Sequence, residues 1–493
     1  MTRLLAFLLA AASTASAAPS VCDVTSFGAA GTGKTPDTAA IQKAIDSCAG
    51  AGGGVVYFPR GDYLSGTFTL KSNITLHLAP GATLWGSRNI RDYNPRHLIY
   101  AAGATNIAIE GGGTIDGQSD AFFDQNHRPM ARPSPLIELR DCKDIRIQDV
   151  RILKAPGWTI HPKNCERVKI RGITLINDML GLNTDGIDPD SSRDVIISDS
   201  YIESGDDCIV IKTTKQGERV LPSENVTVTN CVMRSSASAL KLGTESWADF
   251  RHCVFSNCVI RDSRTGIALL NKDGATMEDV SFSNITMATA PKFGKGVEWP
   301  IVIDLEKRAP DSKIGRIRDV LFSDVQVYTK GRVMVTGMPQ SPLERILFRN
   351  LAMHIGGWEQ IENEHKLQGG TVVAMADALD YGAVPAAMIL AHARGIELRD
   401  VRVLWDGPAP APERHAIWGE RLEELRIAGF AGRQAASPGK LAAIRLRDSR
   451  DISITGSRAA SGTGTFLEVE GGGAGEVRFE GNDMRGAGRA REP

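Results

Sequence analysis

From residue 142 onward the chain repeats one pattern of apolar and polar positions. CKDIRIQDVRIL (142–153), CERVKIRGITLI (165–176), SRDVIISDSYIE (192–203) and SENVTVTNCVMR (223–234) each place apolar residues at every second position, break at a polar corner and resume in a second short run. FRHCVFSNCVIR (250–261), MEDVSFSNITMA (277–288), IRDVLFSDVQVY (317–328) and LERILFRNLAMH (343–354) carry it on, and further copies begin at Ala393, Leu422 and Ser449. A period of two sends apolar side chains to one face and polar ones to the other, which predicts β-strands. The Val and Ile content fits strands better than helices. The unit recurs about every 23 to 31 residues, with longer insertions after Met277 and Leu343. One unit cannot bury its own apolar face, whereas stacked units bury a continuous core. The expectation is an all-β solenoid forming a single domain over residues 18–485, with residues 486–493 fraying.

An open solenoid end needs a cover. Residues 38–48 supply one: Ile41, Ala44, Ile45 and Cys48 share a helical face, and Asp37 stands where an N-cap would. Cys22 and Cys48 could clip this capping helix down. Cys142 and Cys165 hold equivalent positions in neighbouring units, as do Cys231 and Cys258. Adjacent strands lie roughly 4.8 Å apart, so a bridge or a pair of free stacked thiols is open for each.

The N-terminus reads differently. Arg3, an apolar run over 4–12 and Ala15-Ser16-Ala17 make up the parts of a secretory leader. Residues 1–17 are therefore expected to be removed, leaving a secreted or periplasmic protein. No later run is long enough to span a bilayer. Basic and acidic residues number 57 and 58, with no basic block, which argues against a nucleic-acid partner. A polyanionic ligand is still allowed, because local positive charge can hide in a neutral total. None of the eight cysteines forms a C-x-x-C pair, so no zinc site is expected.

Gly28-Ala29-Ala30-Gly31-Thr32-Gly33-Lys34-Thr35 matches the phosphate-loop pattern. That motif works only where a helix begins at the Lys-Thr pair. Here Pro36 and the capping Asp37 follow at once, so the segment reads as a structural turn.

The chemistry concentrates in two motifs. Asn183-Thr184-Asp185-Gly186-Ile187-Asp188 lies between two repeat units, and Gly205-Asp206-Asp207-Cys208 lies at the corresponding place in the next. Asp185 and Asp206 are 21 residues apart, about one coil, which puts them on adjacent rungs of one face. Crowded carboxylates push at least one pKa upward. A protonated acid beside an ionised base is what glycosidic hydrolysis requires. A calcium site or ordinary Asp-Gly turns are the plain alternatives.

Together with FGAAGTGKTPDTAAIQKAID near the N-terminus and GWTIHPKNC from Gly157, these motifs make the sequence resemble glycoside hydrolase family 28, the polygalacturonases. The resemblance runs from about Val24 to at least Met287. It implies a right-handed parallel β-helix. It also implies Asp206 as general acid, Asp185 and Asp207 as the pair activating water with inversion, and Asn183 and His161 as groove residues, with a turn or packing role as the other reading of His161. Inversion would call for a carboxyl separation of roughly 6.5 to 9.5 Å.

Two family features are missing. Ala237 stands where Gly-His-Gly has its histidine, and Ala268-Leu269-Leu270 replaces the Arg-Ile-Lys that grips uronate carboxylates. Lys212, Lys241, Arg264 and Lys272 are candidate replacements, and Glu245 is a candidate ligand for a sugar hydroxyl. Trp158 and Trp247 are candidates either for stacking on sugar or for packing at the groove edge. The expected function is hydrolysis of a pectic, uronate-containing polysaccharide, a rhamnogalacturonan-type or decorated backbone rather than plain polygalacturonan, by a monomer without cofactor or metal. The insertions at 291–299 and 356–384 point toward exo action. A β-helix lyase and a non-catalytic carbohydrate-binding solenoid are the competing readings.

Overall fold

The computed structural model describes residues 20–215, 217, 220–289, 298–356, 381, 384–406, 413–435, 440–472 and 477–492. The leader expected at 1–17 lies outside them. So do the two insertions, except for Glu298, Trp299, Gly356, Tyr381 and Val384. The chain winds as a right-handed parallel β-helix. A typical coil has three strands, such as Ile209–Thr213, Ser223–Thr229 and Val232–Ser235. Each pairs in parallel with its counterpart one coil on.

The period-two pattern sets the core. Val226, Cys253, Val280, Val320, Ile346 and Ile396 stack in register, all buried. Phe255, Phe282, Phe322 and Phe348 form a second column, with successive ring centroids 4.7, 5.0 and 4.7 Å apart. Every polar corner of the repeat has a backbone job. Asp149, Gly172, Asp199, Asn230, Asn257, Asn284, Asp324 and Asn350 each adopt positive φ, between 50° and 65°. Asn, Asp and Gly tolerate that region best. Their side chains also link coils: Asn230 donates to Asp199 at 3.1 Å and Asn350 to Asp324 at 2.8 Å.

The cap forms as the pattern predicts. A helix at Thr38–Gly50 buries Ile41, Ala44, Ile45 and Cys48, and Cys22 and Cys48 are disulfide-bonded. Asp37 departs from its expected role. It occupies the N-cap position, but its carboxylate accepts from the backbone N–H groups of Ala30, at 2.6 Å, and Gly31, at 3.3 Å. It thereby closes the glycine-rich turn. Thr32–Pro36 is a strand with Lys34 exposed, so no helix begins at the Lys-Thr pair.

Cys142, Cys165, Cys231 and Cys258 are free, buried thiols. Each donates to a backbone carbonyl, as Cys142 does to Arg140 at 3.1 Å. The segment expected to fray instead forms a strand, Ala487–Glu492, paired with Thr463–Glu470. The last coil's edge offers unpaired N–H and C=O groups, and this segment takes them up. Among the described residues, no helix is long and apolar enough to cross a membrane.

Candidate active site

The site is built on one sheet and on the turns that lead into it. In that sheet Ile137, Ile160, Ile187, Ile209, Leu240 and Ile267 pair in register and point into the core. The alternate positions point outward. In one such row Glu138 pairs with His161, and further along Lys241 is followed by Ala268, Val302, Met334, Ile389 and Trp418. The outward row thus carries charged groups as far as Lys241, with Val210 just before it, and is apolar beyond it.

Asp185 directly precedes the Gly186–Ile187 bridge to the next coil, and Asp206-Asp207 precedes Ile209–Thr213. The two turns touch: Gly186 N–H donates to the Asp207 carbonyl at 2.9 Å. A Cβ on Gly205 would lie 2.3 Å from the Asp178 carbonyl and 2.5 Å from that of Gly181. Glycine is required there for the turns to nest. The result joins Asp185, Asp206 and Asp207, with one oxygen of each within 4.8 Å of the others. That is tighter than the separation expected of an inverting pair.

Each carboxyl has its own surroundings. Asp207 is buried and fully engaged: Lys241 Nζ lies 2.7 Å from Oδ2, and the Ser238 N–H donates to Oδ1 at 3.1 Å. Burial opposes its ionisation, but Lys241 and then Lys212 outweigh it and hold the carboxyl below its usual range. Asp206 is half-buried. It accepts from Asn183 N–H at 3.1 Å and Nδ2 at 3.5 Å. Burial, then the charges of Asp185 and Asp207, push it up to about 7. Asp185 is buried 3.1 Å from Lys212, and burial raises it to about 8. Asp188, 3.2 Å from Lys212, is raised by burial to about 6. The environments therefore hold Asp207 ionised and push its neighbours toward their protonated forms, the kind of division acid–base catalysis uses.

Lys212 and Lys241 thus meet the trio directly, and Glu245 reaches it through Lys212 at 3.8 Å. The lysines also counter the idea of a metal centre, because a divalent cation among the three oxygens would stand against two buried ammonium groups. Lys272 does not join the site. It is buried and ion-paired with Glu306. His161 is not an open groove residue either. It is buried, with Nδ1 2.6 Å from Glu138 and Nε2 3.2 Å from Asp190. Burial disfavours its charge, but the hydrogen bonds to Asp190 and Glu138 prevail and raise it to about 9. His161 instead braces Trp158, whose ring lies edge-on at 5.1 Å and carries Lys212 3.9 Å from its centroid. Trp247 is 42% exposed, with Lys215 4.9 Å from its ring.

The missing family cations find their places. Ala237 lies in the turn one coil above Asp206-Asp207, its N–H bonded to Ser235 Oγ at 2.8 Å. Ala268 and Leu270 point outward into an apolar cluster with Trp299, Val302, Met334, Tyr381, Ile389 and Trp418. Arg264 has a buried Nε without a hydrogen-bond partner. Two cations escaped the sequence reading. Arg308 chelates Asp273 at 2.6 and 2.8 Å and lies 3.9 Å from Glu245. Arg132 donates to the Leu182 carbonyl at 2.9 Å, beside the trio. Neither lies in a recognisable motif, and Arg132 reaches its partner across 50 residues.

A parallel β-helix carrying three crowded, electrostatically divided carboxyls has the parts that acid–base cleavage of a glycosidic bond uses. The chain belongs to glycosyl hydrolases family 28, whose sequence model matches residues 48–369. It is 25% identical over 381 residues to an endo-polygalacturonase of Pectobacterium carotovorum subsp. carotovorum, covering 66% of this chain and 86% of that one. It is 35% identical over 212 residues to a probable polygalacturonase of Vitis vinifera, covering 38% of this chain and only 43% of that one. A family 28 exopolygalacturonase of Yersinia enterocolitica superimposes with a TM-score of 0.62 at 20% identity, covering 83% and 78% of the two chains. The exopolygalacturonase of Thermotoga maritima gives 0.60 at 24%, covering 68% and 87%. These last two likenesses are of fold.

Proposed function

We propose that the protein is an exported glycoside hydrolase that cleaves a pectic, uronate-containing polysaccharide by acid–base catalysis. The observation that carries this reading is the division of the trio. Asp207, held ionised by Lys241, is the base. Asp206, pushed up to about 7, is the acid that protonates the leaving oxygen. Asp185, beside Lys212, completes the water site. The family relatives with polygalacturonase names support the substrate class, and the leader-like residues 1–17 support export.

The roles favour inversion despite the short oxygen separations. Asp185 is driven toward its neutral form, which leaves it a poor nucleophile, and the ionised Asp207 is the group able to take a proton from water. The apolar cluster favours exo action. Past Lys241 the outward row packs with Trp299, Tyr381 and Val384 into an apolar cluster, which supports a closed C-terminal side to the trio. A glycan can then extend from the scissile bond only toward the N-terminal coils.

The test is a reducing-end assay of wild type and Asp206→Asn on a panel of pectic polymers, with ultraviolet absorbance followed in parallel. New reducing ends, lost in the variant and without absorbance gain, are expected. An unsaturated, absorbing product would make the protein a lyase. Binding without cleavage, unchanged in the variant, would make it a carbohydrate-binding solenoid. Proton NMR of the first product reads the anomeric configuration, and product sizing separates release of end units from random scission.

A further inference from the structure

We infer that Arg132, on the loop between Thr114–Asp116 and Ile137–Arg140, grips a substrate carboxylate on the N-terminal side of the Asp trio. The inference rests on the hydrolase reading above and deepens it, because it assigns the charge recognition that Ala237, Ala268 and Leu270 no longer supply.

Arg132 is half-buried where it faces Asp185 and Asp206. Burial works against its charge, and Asp185 and Asp206 favour it only to the extent that they are ionised. Its guanidinium lies 5.2 Å from the Phe123 ring centroid, which fixes one face of the plane. One Nη donates to the Leu182 carbonyl, next to the Asn183 that holds Asp206. A guanidinium carries five N–H donors in a planar fork suited to a carboxylate. The Leu182 bond uses one edge of this fork. Two other cations at the trio, Lys212 and Lys241, each have carboxylate partners in contact, and Arg308 is spent on Asp273. Arg132 has no carboxylate within ion-pair distance among the described residues. Arg264, on the turn before Thr265–Asn271, is a further cation without a carboxylate partner among the described residues, but it lies on the C-terminal side against Trp299 and the apolar cluster, so a uronate on the N-terminal side meets Arg132.

A simple clasp for the loop would make the same bond to Leu182, so the test must separate charge recognition from support. Arg132→Gln and Arg132→Lys are compared with wild type on de-esterified polygalacturonate and on a highly methyl-esterified pectin, whose uronates lack the charge. Expected for Arg132→Gln is a rise in KM of about 10- to 100-fold on the de-esterified polymer, the scale of one lost charge-assisted hydrogen bond. The kcat should stay within about threefold, KM on the esterified polymer should barely move, and Arg132→Lys should restore part of the affinity. A matched fall in kcat on both polymers, or unchanged KM on both, overturns the inference and leaves a structural clasp. Titration calorimetry of a galacturonate trimer with Asp206→Asn, alone and combined with Arg132→Gln, gives a reading independent of turnover. Equal affinity in the two overturns the inference even if wild type proves inactive, an outcome that would itself count against the hydrolase reading instead.

Discussion

Lys241 Nζ lies 2.7 Å from Asp207 Oδ2, and both groups are removed from bulk water. This contact sets Asp207 apart: Asp206, its immediate neighbour in sequence, has no lysine in contact among the described residues, and burial with the charges of Asp185 and Asp207 drives it the other way.

Asp206→Asn should lower kcat by about 100- to 10,000-fold, the usual worth of a positioned proton donor. KM should change little, since the amide preserves shape and still meets Asn183. Initial rates of reducing-end release over a range of polymer concentrations check both parts.

The pH profile follows from the two directions. The base must be ionised, so activity rises as pH climbs through the depressed Asp207 value. The acid must be protonated, so kcat/KM falls as pH rises through about 7, the value to which Asp206 is pushed. Lys241→Met removes the charge that depresses Asp207. The acidic limb should then move to higher pH, and the basic limb, set by an Asp206 that Lys241 also holds down, should move the same way by less, as kcat/KM measured across pH would show.

His161 gives a stability prediction of definite sign. Its folded value of about 9 lies above the ordinary 6.5. Its stabilisation is therefore complete below pH 6.5 and is lost as pH rises from there through about 9. The groups facing it are Glu138 and Asp190, themselves paired with Arg140 and Lys163. Wild type should lose on the order of 2–3 kcal/mol more than His161→Gln across that window. Urea unfolding at several pH values reads the difference, and parallel curves would remove His161 from the account.

Phe322 sits inside the aromatic column, stacked on Phe282 and Phe348. Phe322→Ala should cost about 3–5 kcal/mol through lost burial and an unfilled cavity. The effect should appear as a lower urea midpoint, with the trio's pH profile unchanged in the protein that stays folded.

Much of this was legible in the sequence because it is periodic. Alternation at 142–153 and its copies fixes strand faces, and a spacing of one coil brings Asp185 to Asp206. The capping helix and the Cys22–Cys48 bridge follow from an apolar stripe and a neighbouring cysteine. What stayed hidden depends on contacts that no period encodes. Arg132 reaches Leu182 from a loop two coils below. His161 looked like a groove residue because its motif names its neighbours in sequence, not the Glu138 and Asp190 that close around it from the coils on either side. Asp37 had a suitable position for capping, but the amides of the glycine-rich turn compete for the same carboxylate. Lys272 had the right charge and rung, and Glu306 had already claimed it.

The column of positive-φ corners from Asp149 to Asn350 has a consequence for how such a molecule can change. At that edge each coil turns on a single residue, so there is no slack to lengthen or shorten. Insertions and deletions should therefore be confined to the other two edges, where connections already range from two residues to 30 between strands. One edge works as a hinge spine of fixed pitch that keeps the rungs in step. The edge bearing the carboxyls can be rewritten turn by turn, altering what is recognised beside the trio without shifting the aspartates relative to one another.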